Sequence, residues 1–541
     1  MEITGNIVDV VNRKIFPGCI VVENGIIIDV FSMPDLITQR YIMPGFIDVH
    51  VHIESSMLIP SSFARIAVVH GTIATISDPH EIANVLGHEG IGYMIKNGSE
   101  VPFKFNWTLP SCVPATSFET SGATINAEQT ALLFEQFTFV GLSEMMNFPG
   151  VFSEDKEVIK KIKISIEKGY PVDGHAPGIT GNNLVKYIKA GITTDHEAST
   201  LEEAQEKISL GMKILIREGS SAKNFEALFP LIDLHTDKIM ICCDDIHPED
   251  LMNGHINKIA AKAIAKGLDL FYVLMAACIN PIKHYRLNCG MLQKGDMADF
   301  IIVSDLKEFD VLETWIDGHP VFVNGKVLFS EVNCNPINNF KALPITAELL
   351  KVKKMSDKLN VIEVIDGSLF TRAKLMELDT NDVYLNSDIK QDILKIVVVN
   401  RYKISSPIVG FVHGFGFKYG AIAGSVAHDS HNIIAIGVSD LDICNAINEI
   451  IQIKGGVTAC NNENKITLPL PVAGLMSFES AEIVANLYEE LNITAKNSFG
   501  SKLYSPFMTM SFLSLLVIPE FKIGDKGLFD VNEFRFTSLF S

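Results

Sequence analysis

Two histidines one residue apart, His50 and His52, provide the clearest chemical signal in the sequence. They end the run PGFIDVHVH at 44–52. If this run is a β-strand, both imidazoles project from the same face and can bind one divalent metal ion. Two ordinary histidines on a strand have the same spacing, so the prediction depends on further candidate ligands elsewhere in the chain.

Four other metal-capable side chains each end or follow a short apolar run. Glu144 follows FTFVGLS, His175 ends PVDGH, His196 ends ITTDH and Asp244 ends IMICCD. The strands of a parallel barrel bring their C-terminal ends to one rim, so we expect these groups to converge with the histidine pair. Two neighbouring ions need a bridging anion, and Glu144 is a suitable carboxylate. The pattern predicts a binuclear metal centre.

These residues lie within a repeated order of short apolar strand, polar turn and amphipathic helix over residues 41–284. The candidate strands are FIDVHVHI, TIATIS, KFNWTL, FTFVGLS, PVDGH, ITTDH, MKILIR and IMICCD. The segments EDKEVIKKIKISIEKG and LEEAQEKISLG between them are typical of helices. Eight such units in about 240 residues predict a (β/α)8 TIM-like barrel.

Strand-like segments lie on both sides of the barrel region. Residues 1–40 and 285–335 alternate apolar stretches with turn signals, which predicts a small composite β-sandwich domain built from both flanks. Residues 340–541 are numerous enough for an additional C-terminal α/β domain. In that domain ITAELLKVKKMSDKL indicates a helix, whereas DILKIVVVNRY and HNIIAIGVSD indicate strands. The predicted fold class is therefore α/β.

The composition indicates a large globular protein. The 541 residues are 47% hydrophobic and 20% charged, and the formal net charge of −19 opposes binding to nucleic acid or to an anionic membrane surface. No apolar run approaches the roughly 18 residues that span a bilayer, and the N-terminal segment does not resemble a signal peptide. We therefore expect a cytoplasmic protein. The nine cysteines include no CxxC spacing and are interpreted as reduced, buried thiols.

Several motifs resemble those of a known superfamily. The PGFIDVHVH run, the histidines ending the fifth and sixth predicted strands, the aspartate ending the eighth, and INPIKHYRL followed by KGDMADFIIV are similar to the amidohydrolase superfamily. HIESSM at 52–57, SDPHEIANVLG at 77–87, IREGS at 216–220 and GAIAGSVAHDSHNIIAIG at 420–437 resemble the bacterial and archaeal adenine deaminase family, including its C-terminal domain. This resemblance covers nearly the whole chain.

The resemblance implies hydrolytic deamination of adenine to hypoxanthine and ammonia, a reaction of purine salvage and adenine catabolism. It also implies a binuclear centre, commonly of iron or manganese, in which Glu144 replaces the carboxylated lysine of many amidohydrolases. A ligand set of histidines and carboxylates without a thiolate suits Mn(II), Fe(II) or Zn(II). Cys243 departs from the small polar residue expected before the aspartate pair, which leaves the choice between Asp244 and Asp245 as ligand open.

The chemistry needs groups that move protons and groups that contact the substrate. A metal-activated hydroxide would attack C6 of the purine, and Asp244 is the first candidate for accepting its proton, with Glu81 the second. Candidates for contact with the heterocycle edge are Glu54, Ser55, Asp78, His80 and Glu81. In the alternative interpretation, Asp78 and the following proline open a turn, and Glu81 is favoured by the dipole at a helix start.

Two other polar clusters have more than one interpretation. Arg217 and Glu218 end the seventh predicted strand and form either a structural ion pair or a substrate contact. His428, Asp429 and His431 form either a turn or a wall or lid of an active site in the same or a neighbouring subunit. A third metal site at this cluster has too few ligands in the sequence alone.

Two rival functions use the same features. A cyclic amide hydrolase of the dihydroorotase or hydantoinase type would run on the same centre, because a fold does not determine its substrate. A non-catalytic metal-binding scaffold would use the C-terminal domain for association. The HIESSM and SDPHE motifs favour the deaminase, and the presence of all six ligands argues against lost activity. We expect adenine as substrate, a homo-oligomer, and no nucleic-acid or membrane partner.

Overall fold

The computed structural model describes residues 1–220, 222–462 and 464–541. They form two compact units. The first contains Met1–Pro79, Gly92–Ser111 and Asn126–Asn333, and the second contains His80–Ile91, Cys112–Ile125 and Cys334–Ser541. Among the described helices, none combines the length and apolar character needed to cross a membrane.

The strands of the first unit are, in chain order, β1 (Glu2–Asp9), β2 (Lys14–Glu23), β3 (Ile26–Ser32), β4 (Tyr41–Pro44), β5 (Phe46–Val51), β6 (Thr72–Ser77), β7 (Lys104–Leu109), β8 (Gly141–Met145), β9 (Val172–Gly174), β10 (Thr194–Asp195), β11 (Lys213–Arg217), β12 (Ile239–Cys242), β13 (Phe300–Val303), β14 (Val311–Ile316), β15 (His319–Val323) and β16 (Lys326–Val327). The helices of the whole chain are α1 (Pro60–Ala67), α2 (His80–Leu86), α3 (His88–Gly98), α4 (Ala127–Gln136), α5 (Phe148–Phe152), α6 (Lys156–Glu167), α7 (Gly181–Lys189), α8 (Leu201–Ser209), α9 (Phe225–Leu228), α10 (Leu231–Leu234), α11 (Pro248–Asn253), α12 (Ile256–Ala265), α13 (Leu270–Leu274), α14 (Asn280–Tyr285), α15 (Asp440–Ile453), α16 (Ala481–Ile493) and α17 (Pro506–Ser511).

Strands β5 to β12 form a closed parallel barrel. They pair as one sheet from β5 to β9 and a second from β10 to β12. Parallel bridges between Val172 and Ile192 and between Val51 and Asp244 join the two sheets at both seams. The eight predicted strands and the α/β fold class are confirmed. The fourth strand begins at Gly141 rather than Phe137, because Phe137 caps the C-terminus of α4.

The flanking strands form one eight-stranded sheet in the order β16-β15-β14-β13-β4-β1-β2-β3. Residues from both ends of the first unit therefore share a core, which includes Ile7, Ile20, Ile42, Phe300 and Trp315. Burying apolar side chains from both flanks holds together two segments that are far apart in sequence. The predicted domain boundaries at 1–40 with 285–335, at 41–284 and at 340–541 stay predictions.

The strands of the second unit are β17 (Val352–Lys353), β18 (Lys358–Val364), β19 (Thr371–Glu377), β20 (Tyr384–Leu385), β21 (Ile393–Val399), β22 (Ile408–His413), β23 (Ala421–Gly424), β24 (Ile433–Gly437), β25 (Gly456–Cys460), β26 (Lys465–Pro469), β27 (Phe521–Gly524), β28 (Gly527–Asp530) and β29 (Arg535–Phe536). Its main sheet has the order β19-β18-β22-β21-β24-β23-β25-β26, and helix α15 packs on it through an apolar core. The strands predicted within 392–402 and 431–440 are present as β21 and β24.

The helix predicted over ITAELLKVKKMSDKL is wrong. Only a single 3-10 turn forms at Ala347–Leu350, and the chain then enters β17 and β18. Strand β17 pairs with β20, and β18 pairs with both β19 and β22. Sheet pairing therefore overrides the local helix propensity of this lysine-rich segment.

Candidate metal centre

The six predicted ligands lie at the C-terminal ends of barrel strands, all in the first unit. The ligands are His50 in β5, His52 directly after it, Glu144 in β8, His175 after β9, His196 after β10 and Asp244 after β12. Each is buried, with at most 7% of its surface exposed. The strand ends of a parallel barrel therefore bring residues separated by almost 200 positions into one cluster, as predicted from the sequence pattern.

The two oxygens of Glu144 face different histidines. Its Oε1 lies 3.3 Å from His52 Nε2 and 3.9 Å from His50 Nε2. Its Oε2 lies 2.8 Å from His175 Nδ1 and 3.2 Å from His196 Nε2. One carboxylate thus connects two groups of ligands, which is the arrangement a bridging ligand requires. Although burial raises the pKa of Glu144, hydrogen bonds from the histidines outweigh it and hold this pKa well below its usual range.

Asp244 completes the group around the HxH pair. Its Oδ1 lies 3.3 Å from His50 Nε2 and 3.1 Å from His52 Nε2. Its backbone has a φ of 61°, a left-handed conformation that aspartate tolerates better than most residues. The neighbouring Asp245 instead accepts a hydrogen bond of 2.5 Å from the hydroxyl of Ser55. Of the two aspartates, the structure therefore directs Asp244 towards the histidines.

The donor atoms fit a divalent metal. His52 donates from Nδ1 to the carbonyl oxygen of Asp78 at 3.1 Å, which orients its Nε2 towards Glu144 and Asp244. The buried Nε2 of His50 makes no hydrogen bond. Although burial lowers the pKa of His52 and of His196, hydrogen bonds to the carboxylates raise both pKa values well above the usual range. Carboxylate oxygens and imidazole nitrogens thus lie together in one buried cluster, and they are the donor set of a divalent metal site.

Arg217 forms an ion pair at the edge of this cluster. Its Nη1 lies 2.5 Å from both Glu197 Oε1 and Asp244 Oδ2, and its Nη2 lies 3.1 Å from Glu197 Oε2. Burial raises the pKa of Asp244, but the Arg217 guanidinium and the histidines more than offset this, so the pKa stays well below its usual range. Glu218 points elsewhere and pairs with Lys262 at 3.2 Å. Arg217 therefore forms a structural ion pair, one of the two alternatives for this cluster, but its partners are Glu197 and Asp244 rather than Glu218.

A buried hydrogen-bond network behind the ligands was not predicted. Asp48 Oδ1 accepts from the backbone N–H groups of His50 at 3.2 Å and Cys243 at 3.1 Å. Asp48 Oδ2 lies 3.0 Å from His255 Nε2, and His255 Nδ1 lies 2.7 Å from the Thr72 hydroxyl. The network holds the ends of β5 and β12. In the sequence, the only indication of this network is the carboxylate of Asp48 within an otherwise apolar run.

A second unpredicted pair supports the histidines after β9 and β10. Lys207 Nζ lies 2.8 Å from Asp195 Oδ2 and 2.7 Å from the carbonyl oxygen of Ala176. Asp195 Oδ1 also accepts from the backbone N–H of Ala176 at 2.8 Å. These contacts join the residues that directly follow His175 and precede His196. Lys207 lies on α8, and no pattern in the sequence indicates that Asp195 is its buried partner.

The residues predicted to contact the heterocycle divide between the two units. Glu54 and Ser55 lie in a buried 3-10 turn after β5, and Asp78 follows β6 in the first unit. His80 and Glu81 begin α2 and belong to the second unit. The structure therefore brings the first three together with the ligand-bearing strands.

Comparisons with known proteins agree with this geometry. The model of the amidohydrolase family matches residues 41–321, which include the barrel and all six candidate ligands. The fold and the site thus define a hydrolase of the amidohydrolase family, which implies a divalent metal centre.

Further matches extend over the rest of the chain. The model described as the adenine deaminase C-terminal domain matches residues 368–535. Proteins named adenine deaminase from Methanosarcina barkeri, Sulfurovum sp. and Borreliella burgdorferi are 50%, 51% and 48% identical to this chain. Each alignment covers 99% of this chain and 99% of the relative. The chain belongs to the adenine deaminase family.

Proposed function

We propose that this protein hydrolytically deaminates adenine to hypoxanthine and ammonia. The observation that carries the proposal is full-length similarity: relatives named adenine deaminase are about 50% identical over both the barrel and the C-terminal domain. The clustered histidines and carboxylates support it, because they provide the ligands that such a hydrolase needs. The cyclic amide hydrolase and the non-catalytic scaffold are not favoured, since neither explains the match to the family-specific C-terminal domain.

Six residues are proposed to hold a binuclear centre. His50, His52 and Asp244 would bind one ion and His175 and His196 the other. Glu144 would bridge them, since its two oxygens face the two histidine pairs. When bound, such ions lower the pKa of a coordinated water and supply a nucleophile at neutral pH. Mn(II) or Fe(II) is proposed as the physiological metal, with Zn(II) compatible with the same ligands.

Asp244 is proposed to accept a proton from the attacking nucleophile and to deliver it to the amino group at C6, which then leaves as ammonia. Its Oδ1 faces the histidines, where the reaction is proposed to take place. Its Oδ2 is held by the ion pair with Arg217. Arg217 limits the rotation of this carboxylate, because its guanidinium also pairs with Glu197. A positioned carboxylate of this kind contributes typically 10²- to 10⁴-fold to a proton-transfer step.

The heterocycle edge is proposed to be recognised by Glu54, Ser55, Asp78, His80 and Glu81. Carboxylates would accept from the purine N–H groups, and Ser55 has its own proton committed to Asp245. Glu81 remains the second candidate for proton transfer. A site whose polar groups are committed to the base should reject a sugar at N9, since closure over the base would clash with it.

The decisive experiment measures ammonia release from adenine, adenosine, guanine, dihydroorotate and hydantoin with one metal-loaded preparation. We expect turnover of adenine and no significant turnover of the other four. Adenosine deamination with a kcat/KM within about tenfold of that for adenine would overturn the assignment to the free base. Hydrolysis of dihydroorotate or hydantoin without adenine turnover would support the rival enzyme. Purine salvage, a cytoplasmic location, a homo-oligomeric state and the absence of nucleic-acid or membrane partners stay predictions.

A further inference from the structure

Glu81 lies between two histidines of the C-terminal segment, and all three residues belong to the second unit. His428 Nδ1 lies 2.6 Å from Glu81 Oε1, and His431 Nε2 makes a close contact with Glu81 Oε2. Glu81 is 2% exposed, His428 6% and His431 1%. Each carboxylate oxygen therefore has its own imidazole partner in a site closed to water.

The two rings are themselves held in place. The backbone N–H of Ala427 donates to His431 Nδ1 at 3.3 Å, so the proton of the neutral ring resides on Nε2 and faces Glu81. Burial lowers the pKa of His431 to about 4, which keeps this ring neutral at physiological pH. The His428 ring stacks on Phe512 with centroids 4.2 Å apart and planes 11° apart. Both imidazoles are thus oriented as donors to the carboxylate.

The same three side chains have the composition of a metal site, but their geometry favours hydrogen bonds. Two ligand atoms bound about 2.1 Å from one ion at angles of 90° to 109° lie about 3.0 to 3.4 Å apart. The pairs proposed for the metal centre lie 2.8 to 3.9 Å apart, whereas His428 Nδ1 and Glu81 Oε1 are closer, at 2.6 Å. A metal on His431 Nε2 would also displace the proton to Nδ1, against the N–H of Ala427.

We propose that His428 and His431 are positioning residues that hold the Glu81 carboxylate in one orientation, from which it accepts a hydrogen bond from a purine N–H group. This inference rests on the proposed function, in which Glu81 contacts the substrate. Hydrogen bonds from two imidazoles leave the remaining lone pairs of both oxygens as acceptors. The inference assigns Glu81 to substrate recognition rather than to proton transfer and gives the C-terminal domain a specific task.

The electrostatic surroundings of Glu81 agree with an acceptor role. Burial raises the pKa of Glu81, but the neighbouring histidines, including a hydrogen bond from His428, more than offset burial and hold this pKa well below the usual range. A carboxylate that remains ionised is a strong and permanent hydrogen-bond acceptor.

Matched variants separate the hydrogen bonds from the packing. His431→Gln keeps an N–H donor near the Nε2 position, and His428→Asn keeps one near Nδ1, whereas His431→Leu and His428→Leu remove them. We expect each leucine variant to raise the KM for adenine about 10- to 100-fold with a smaller change in kcat, and each amide variant to stay within about fivefold of wild type. His413→Leu, at another histidine beside a carboxylate of this unit, is the control and should leave KM unchanged.

A double-mutant cycle tests whether the histidines act through Glu81. We expect His431→Leu to change KM less than about threefold when Glu81→Gln is already present, because no carboxylate then needs orientation. Equal effects of His431→Leu in both backgrounds would overturn the proposal. Equal increases in the KM for adenine in His431→Gln and His431→Leu would also overturn the proposal. This comparison of KM values remains valid even if one variant is less stable.

Metal content provides a readout that does not depend on turnover. We expect the same number of metal equivalents per subunit in wild type, His428→Leu and His431→Leu. Loss of one equivalent in both leucine variants would replace the proposal with a third metal site. Absence of adenine turnover in the wild-type protein would refute the proposed function, and the metal analysis would still distinguish a hydrogen-bonded cluster from a metal site.

Discussion

Replacing Arg217 by methionine should destabilise the first unit strongly when no metal is present. The change keeps much of the side-chain volume but leaves Glu197 and Asp244 without the guanidinium that both contact at 2.5 Å. All three groups are at most 10% exposed in their side chains. Removing one partner of a buried ion pair costs about 3 to 5 kcal/mol, because the remaining charge is left buried and unpaired.

The stability of metal-free Arg217→Lys should lie between that of wild type and that of Arg217→Met. One ammonium retains the charge but lacks the planar fork that binds Glu197 with two nitrogens. We expect a loss of about 1 to 3 kcal/mol, the cost of leaving a buried polar group unsatisfied. Bound metal should reduce the loss in both variants, because the ion supplies Asp244 with a second positive partner.

Tryptophan fluorescence during urea unfolding of chelator-treated protein measures this effect. The chain has two tryptophans, Trp107 in β7 and Trp315 in β14, and both belong to the first unit. Arg286→Met, at an exposed arginine of the same unit, is the control and should change the free energy of unfolding by less than about 0.5 kcal/mol. If metal-free Arg217→Met lies within about 1 kcal/mol of wild type, the ion pair does not stabilise the fold as argued. A raised KM with unchanged stability would indicate a substrate contact instead.

Three further predictions concern charge in each unit. Glu144→Gln should lose one metal equivalent and most activity, because the amide removes the bridging charge; two retained equivalents per subunit with near-normal turnover would refute the bridge. Asp244→Asn should lower turnover by several orders of magnitude even in metal-replete protein, and a residual rate above about a tenth of wild type would move the proton acceptor to Asp245 or Glu81. Lys522 is fully buried, and burial lowers its pKa from 10.5 to about 7. Between the folded-state pKa and the ordinary pKa, the unfolded chain binds a proton that the folded chain does not. The free energy of unfolding should therefore rise by about 1.4 kcal/mol per pH unit above pH 7. Circular dichroism unfolding at pH 7, 8 and 9 should show this rise in wild type and not in Lys522→Met, and parallel pH profiles would contradict it.

The clustering of the candidate ligands in the first unit was predictable because each ends or follows a short apolar strand. Strand periodicity and the common rim of a parallel barrel were sufficient to bring His50, Glu144 and Asp244 together. The groups behind them were not predictable. Asp48 pairs with His255, and Lys207 pairs with Asp195, through contacts that depend on how a helix or a distant loop packs on the barrel. Such contacts follow from tertiary packing and have no fixed spacing in the sequence.

The sequence pattern also did not indicate that two segments after barrel strands belong to the second unit. Residues 80–91 and 112–125 follow barrel strands in the chain but belong to the second unit. Gly122 donates from its backbone to the carbonyl oxygen of Asn84 at 2.7 Å, and Thr120 donates to Asp525 at 2.9 Å. These two segments are thus held by each other and by the end of the chain.

The sequence motif HDSH at 428–431 was ambiguous because its partner residue lies in one of these two segments. Read alone, His428 and His431 have no partner that would distinguish a turn from a functional site. Their partner is Glu81, almost 350 positions earlier, in a segment that a linear reading assigns to the barrel. Exchange of these two histidines would therefore remove the imidazole partners of both Glu81 oxygens.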